Sequence, residues 1–352
     1  MAQRNTISPA DIRAQHLENP KTRERDLAAK LGISEAALVA AHCGDLATRI
    51  DPHPDHVMGL ATKLGEVMAL TRNESCVHEK VGVYDNYHPG GHAAMVLTDD
   101  IDLRIFPTHW KHAFLVEKHT DEQMRRSVQV FDAAGDTLHK IFIRTPEGHA
   151  VWENYREIGA LDDQSQTITT TLRVRPETPK ADAANVDILR KEWARMTDTH
   201  QFMRLTSKLK MNRLGAYRIA GAPFVRPLAT DAVNDALTAV ARQGIEVMIF
   251  TGNRGCIQIH SGPIETLRPM GPWQNVMDSR FNLHLRADHV AEIWAVEKPT
   301  KRGMAVSLEA FDGQGALIFQ IFGVGKEGRD HRAAWADVVN ALPSLAQKEV
   351  VG

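Results

Sequence analysis

Laid against itself at a shift of about 180 residues, the chain comes into register over two long segments without a gap, and a repeat of that length decides architecture before any local reading does. Val67-Met68-Ala69-Leu70-Thr71-Arg72-Asn73 meets Val247-Met248-Ile249-Phe250-Thr251-Gly252-Asn253, and Cys76 meets Cys256. The match continues through Leu103 with Leu283, His109 with His289, and Val116-Glu117-Lys118 with Val296-Glu297-Lys298. It then reaches Phe131-Asp132 with Phe311-Asp312, Gly135 with Gly315, and Ile141-Phe142 with Ile321-Phe322. Roughly a quarter of the aligned positions are identical, where ~5–7% is expected by chance. The chain is therefore read as a duplicated domain. Equivalent halves packed as a pseudo-twofold pair create a cleft between them, a preferred location for a small-molecule site.

Local patterning fills in each half. Arg126-Ser127-Val128-Gln129-Val130-Phe131 alternates polar and apolar, Asp132-Ala133-Ala134-Gly135-Asp136 supplies turn residues, and the alternation resumes over 138–143. That is a hairpin signature, and 306–311, Asp312-Gly313-Gln314-Gly315 and 316–322 repeat it. Strands joined by short turns imply antiparallel pairing, because a parallel pair needs a crossover of a dozen or more residues. Helical spacing of apolar residues over 25–44 and 186–210 predicts flanking helices, the second carrying Leu189, Trp193, Met196 and His200 on one face. The expected fold is α+β: two pseudo-repeats, each a large, mainly antiparallel sheet flanked by helices. Val174-Arg175-Pro176-Glu177-Thr178-Pro179-Lys180-Ala181-Asp182 has two prolines, charges and no periodicity, as linkers do. It separates a first repeat over 1–175 from a second over 183–352.

Composition narrows the class. With 352 residues, 43% of them hydrophobic, the chain buries a full core, and a net charge of -2 gives no basic excess for holding a polyanion. No nucleic acid partner is expected. The opening Met1-Ala2-Gln3-Arg4-Asn5-Thr6 and the charged Asp11, Arg13, Glu18, Lys21 and Glu24 replace the apolar run of an export signal. Nowhere do about eighteen apolar residues run together, so no membrane insertion is expected. Cys43, Cys76 and Cys256 lie far apart, outside any disulfide or zinc pattern, which fits a reducing cytoplasm. Cys76 and Cys256, at equivalent places among apolar residues, read as buried packing thiols.

The residue most suggestive of chemistry is His200. A histidine at position 200, beside Trp193 and Met196, offers a nitrogen for a metal next to an apolar face, although such a histidine is also an ordinary core residue. The run Met196-Thr197-Asp198-Thr199-His200-Gln201-Phe202 does not stand alone. With Arg213 and Leu214-Gly215, Thr71-Arg72-Asn73, Cys76-Val77-His78-Glu79 and the duplicated Val-Glu-Lys, it resembles the bacterial haemin-degrading or haemin-transport factors over nearly the whole chain. The resemblance implies that haem (iron protoporphyrin IX) is the bound group, that His200 is the proximal iron ligand, and that Arg213 approaches from the other side. It further implies that Lys298 and Arg104 hold the propionates and that Gln320 lines the pocket. It places the protein in the cytoplasm, between a haem importer at the inner membrane and a downstream acceptor or a separate reductant. Carriage of haem and its oxidative opening need the same pocket, and both stay open. An arginine cannot ligate iron, but it can donate hydrogen bonds to whatever the iron binds. Relatives with extra histidines beside the ligand differ here, since Gln201 follows His200 at once.

Two other readings compete. Arg25-Asp26-Leu27-Ala28-Ala29-Lys30-Leu31-Gly32-Ile33-Ser34-Glu35-Ala36-Ala37-Leu38 has the cadence of a helix-turn-helix, and so of a regulatory DNA-binding protein. Its second helix, however, offers no lysine or arginine to phosphates or guanine. A metal-dependent hydrolase built on His88-Pro89-Gly90-Gly91-His92 or His109-Trp110-Lys111-His112 lacks a carboxylate at the usual spacing. For Lys298 and Arg104 the plain alternative is a solvated cation at a strand edge; His78, beside Glu79, could offer a weaker second haem ligand in the first half but is read first as a surface histidine.

Overall fold

The computed structural model describes residues 7–119 and 124–345; residues 1–6, read above for an export signal, 120–123 and 346–352 lie outside the described residues. The first repeat supplies α1 (Pro9–Glu18), α2 (Glu24–Leu31), α3 (Glu35–Ala40), α4 (Pro54–Ala61) and α5 (Pro146–Ile158). Its strands are β1 (Ala47–Ile50), β2 (Glu66–Arg72), β3 (Cys76–Val83), β4 (Tyr87–His88), β5 (Ala94–Leu97), β6 (Asp102–Ile105), β7 (His112–His119), β8 (Met124–Phe131) and β9 (Thr137–Ile143). The second supplies α6 (Val186–Ala194), α7 (Gln201–Lys208), α8 (Arg213–Ala220), α9 (Ala232–Gln243) and α10 (Arg332–Ala341). With them come β10 (Val225–Leu228), β11 (Val247–Gly252), β12 (Cys256–Gly262), β13 (Trp273–Met277), β14 (Phe281–Arg286), β15 (Val290–Thr300), β16 (Gly303–Asp312) and β17 (Leu317–Gly323).

These elements form two compact units, and each takes a short piece from the other's stretch of sequence: 252–259 belongs with the first unit and 73–77 with the second. Within the first, antiparallel ladders run in the order β1–β7–β8–β9–β2. Within the second, the order β10–β15–β16–β17–β11 repeats it strand for strand. Register is equivalent too: Ser127 faces Phe142 as Ser307 faces Phe322, and a bulge falls before both Phe131 and Phe311. The expected hairpin turns close on Gly135 (φ 81°) and Gly315 (φ 87°), left-handed positions where a side chain is strained. Asp132 and Asp312 each use Oδ1 to accept two backbone N–H groups of those turns.

One long helix closes each sheet through a buried tryptophan. Trp152 on α5 donates its indole N–H to the Ser127 carbonyl at 3.1 Å, and Trp335 on α10 does so to Val306 at 3.0 Å. The exchanged turns are equally matched. In the second unit Asn73 accepts from the N–H of Ser75 and Cys76 and donates to the Ile318 carbonyl. In the first, Asn253 accepts from Gly255 and Cys256 and donates to Arg72 and Leu138 carbonyls. Cys76 and Cys256 are buried as expected, their thiols pushed up to about 12 by burial.

Two helix expectations need correction. Residues 186–210 are not one helix: α6 ends at Ala194 and α7 starts at Gln201. Thr197-Asp198-Thr199 interrupts it because short polar side chains bond the backbone locally. Gln201 Oε1 accepts from the Thr197 N–H at 2.9 Å, and Asp198 Oδ1 accepts from the His200 N–H at 2.8 Å. His200 therefore leaves the apolar face that buries Leu189, Trp193 and Met196. Residues 25–44 divide likewise into α2 and α3, with Ser34 capping α3 on the Ala37 N–H. All six residues of α3 are buried, so it has no free face to enter a DNA groove.

Candidate functional site

At the start of α7 the chain exposes a single imidazole. His200 is the N-cap residue, its side chain is 94% exposed, and its Nδ1 lies 2.7 Å from Asp198 Oδ1. That contact fixes which ring nitrogen is engaged and leaves Nε2 turned to solvent. A histidine oriented through one nitrogen by a carboxylate has the arrangement typical of metal-ligating imidazoles.

Thirteen residues on, Arg213 opens α8, whose N-cap Asn212 accepts from the Gly215 N–H at 3.0 Å. Its guanidinium, 21% exposed, reaches inward to Glu309 Oε2 at 2.8 Å. Glu309 is fully buried on β16 and is shared: Lys298 Nζ donates to its Oε1 at 2.8 Å, Ser307 Oγ at 2.9 Å, and the Tyr217 hydroxyl to Oε2 at 2.9 Å. Lys298 also donates to the Tyr217 oxygen at 2.9 Å. Burial alone would push the Glu309 carboxyl up, but Lys298 and Arg213 overcome that and hold it well below the usual carboxylate range. Lys298 is brought down to about 8 by burial, against the pull of Glu309. The Tyr217 phenol is raised by burial and then by Glu309.

Rings enclose this cluster. Trp193 packs against Phe202, Tyr217 and Phe224 at centroid distances of 4.5, 5.9 and 5.2 Å. Lys298 Nζ stands 4.9 Å from the Phe202 centroid and 5.3 Å from that of Tyr217, within cation–π range. Gln320 on β17, half-buried, is the ladder partner of Glu309 on one side and Phe250 on the other. His200, Arg213, Lys298 and Gln320 thus all belong to the second unit. Arg104 belongs to the first, on β6 between β5 and β12, one-third exposed and paired with Asp102.

Neither cation is a solvated edge residue: Lys298 is 3% exposed and Arg104 sits in an interior strand. His78 is not a surface histidine either, because it shares the buried face of β3 with Cys76 and Lys80. Of the hydrolase candidates, His88 and His92 are exposed, and no group of three potential metal ligands exists among the described residues. Sequence reasoning passed over Glu309, Tyr217 and Ser307. The available signal was an acid inside the apolar alternation of 306–311, which needs a buried cation wherever it folds inward.

Comparison with known proteins gives consistent matches. The haemin-degrading HemS/ChuX domain matches twice, over residues 32–158 and 210–342. The hemin transport protein HmuS of Yersinia pestis is 36% identical over 92% of this chain and 94% of its own length. Holo-PhuS, a heme-binding protein from Pseudomonas aeruginosa, is 37% identical and superposes with a TM-score of 0.90, covering 96% of this chain and 100% of that one. The heme-degrading enzyme ChuS of Escherichia coli O157:H7 is 31% identical with a TM-score of 0.86, at 96% and 100% coverage.

Proposed function

The chain belongs to the haemin-degrading HemS/ChuX family, and on that premise we propose that it is the haem-binding protein of a bacterial haem-uptake system, with His200 as the iron ligand. Haem presents a metal, a flat apolar face and two carboxylates, so its site needs a nitrogen ligand, apolar walls and cationic donors. The observation that carries the assignment is the exposed His200 imidazole, held through Nδ1 by Asp198 with Nε2 left over. A ligand so oriented is prepared for iron before any haem arrives.

Arg213 supplies the second part. Glu309 and Tyr217 anchor one side of its guanidinium, and a guanidinium has five N–H donors in a fixed fork. The donors those partners leave could hydrogen-bond a small ligand of bound haem. That role would serve oxidative ring opening, with electrons from a separate reductant; ChuS is described as a heme-degrading enzyme. For the propionates, Arg104 is the accessible cation, whereas a carboxylate reaches Lys298 only by competing with Glu309. Lys298 then acts chiefly by holding Glu309, and Gln320 adds an amide beside it. No described helix is long and apolar enough to cross a membrane. We place the protein in the cytoplasm, receiving haem from an inner-membrane importer and passing it, or the iron released from it, onward.

Haem titration of His200→Ala followed by the Soret band tests this reading. Binding is expected to weaken by at least a hundredfold with a shifted spectrum, while His88→Ala on an exposed strand changes neither. Parental affinity in the His200 variant overturns the assignment.

A further inference from the structure

The first unit contains a cavity of about 260 Å3, and the second unit shows what is missing from it. Ile12 and Leu189 are both fully buried, and the residue after each is an arginine bonded to carbonyls beyond the third helix of its repeat: Arg13 to Ala41, Arg190 to Ala222. His16 accordingly stands where Trp193 stands. Ala47 pairs with Val116 as Val225 pairs with Val296, which matches Leu46 to Phe224 and, one helix earlier, Val39 to Tyr217. Buried Ala28 and Thr206 match Glu24 to Phe202. The four rings of the second unit are therefore replaced by His16, Glu24, Val39 and Leu46, and all four of these line the cavity.

We propose that this cavity is a binding site for a small planar aromatic molecule bearing an N–H donor, which would supply the ring that the chain supplies to itself in the second unit. The surroundings fit that chemistry. Lys118, the counterpart of Lys298, lines the cavity, and Lys298 is the cation that stands over the rings of Phe202 and Tyr217. The Trp193 indole N–H donates to the Glu297 carbonyl at 2.9 Å. Glu117 and Glu297 each give their own N–H to the adjacent strand, to Leu46 and Phe224 at 2.8 Å, so their carbonyls face the same edge. A ring placed like that of Trp193 meets the Glu117 carbonyl. His16 instead turns its Nδ1 to His42 Nε2 at 2.9 Å; His42 Nδ1 is buried with no hydrogen-bond partner among the described residues. The volume falls just under the ~300–1,000 Å3 of pockets for drug-sized ligands, which suits one or two fused rings and excludes a porphyrin.

Indole is the probe, titrated into the full chain by calorimetry with thermal melting alongside. One saturable site is expected, with a melting temperature that rises with indole concentration. 1-Methylindole, lacking the donor, should bind several-fold more weakly. His16→Trp refills the space and should weaken indole binding at least tenfold while leaving haem titration unchanged; if it fails to fold, Leu46→Phe makes the same test from the opposite wall. Absence of saturable indole binding, parental affinity in both filled variants, or stoichiometric displacement of indole by haem would overturn the proposal.

Discussion

At the first residue of α3 the first unit carries Glu35, and at the first residue of α8 the second carries Arg213. The inversion extends inward. Where β16 holds Glu309, β8 holds Gln129; where β17 holds Gln320, β9 holds Lys140. In the second unit the acid is on a strand and the helix brings the cation. In the first, helical Glu24 and Glu35 meet Lys118, Lys140 and Arg72 from the strands. Both units keep a buried ion cluster, because a charge taken out of water must be paired, but beyond the shared strand lysine, Lys118 and Lys298, duplication has kept the pairing and not the residues. The consequence is functional. The second unit carries Arg213 at the start of α8 and His200 at the start of α7, whereas the positions aligned with them in the first are Glu35 and Thr22.

The largest difference between the units should appear on acidification. Burial lowers His42 and His112 to about 4 and His139 to about 3, all in the first unit. Each is neutral when folded and has an unfolded value near 6.5, so its folded pKa is depressed. Stability is complete above about pH 6.5 and is lost as pH falls toward 4, at up to about 1.4 kcal/mol per histidine per pH unit. The Glu309 cluster keeps its charge over that interval. Hydrogen exchange at pH 7 and pH 4.5 should show protection lost first in 78–119 and 124–174, by several kcal/mol; equal loss in both units breaks the comparison.

Next in size is Glu309→Ala, which leaves Lys298 and Arg213 facing each other without their carboxylate and should cost about 3–5 kcal/mol. Gln129→Ala at the matching site removes one neutral bond to Ser127 and should cost about 1 kcal/mol plus a small packing loss. Urea unfolding read by exchange in each unit distinguishes them. Similar costs would mean that the Glu309 cluster is not stabilised by its charges.

A smaller effect should be equal in the two units. Asn73→Ala and Asn253→Ala remove at least three and four bonds to backbone groups around an exchanged turn, roughly 2 kcal/mol each after partial rehydration. A gap above about 1 kcal/mol between them would show that the turns are not energetically equivalent.

These comparisons also mark how far the sequence could be read. The repeat and both hairpins were legible because strand alternation and turn chemistry are local, and so were the buried Cys76 and Cys256. The helix over 186–210 was misread because apolar spacing continued across Thr197-Asp198-Thr199, whose side chains stop a helix without disturbing that spacing. His200 was singled out through family resemblance, and the apolar face argued for it is not where it lies. Glu309 was invisible as a site because its partners are 96 residues away at Arg213 and 11 away at Lys298, the first brought by helix α8 and the second by the β15–β16 ladder. His78 was expected at the surface because one strand's alternation does not tell which face is covered.

The smallest expected change in binding comes from Arg213→Leu, and it separates carriage from chemistry. With His200 still present, haem affinity should change by less than about tenfold, or about 1.4 kcal/mol. Glu309 keeps Lys298, Ser307 and Tyr217, so the cluster loses one member without collapsing. If Arg213 assists ring opening, its donors matter only for ligands that the iron takes up during turnover, so the variant binds haem and fails to degrade it. The assay is anaerobic haem loading, then reductant and oxygen, with catalase present because free peroxide destroys haem without help. Loss of the Soret band in the parent but not in the Leu variant is the expected result. A Leu variant that degrades haem at the parental rate rules out a catalytic role for Arg213. Persistence of the band in both proteins makes the chain a carrier, in which Arg213 serves only to hold the buried Glu309 carboxylate.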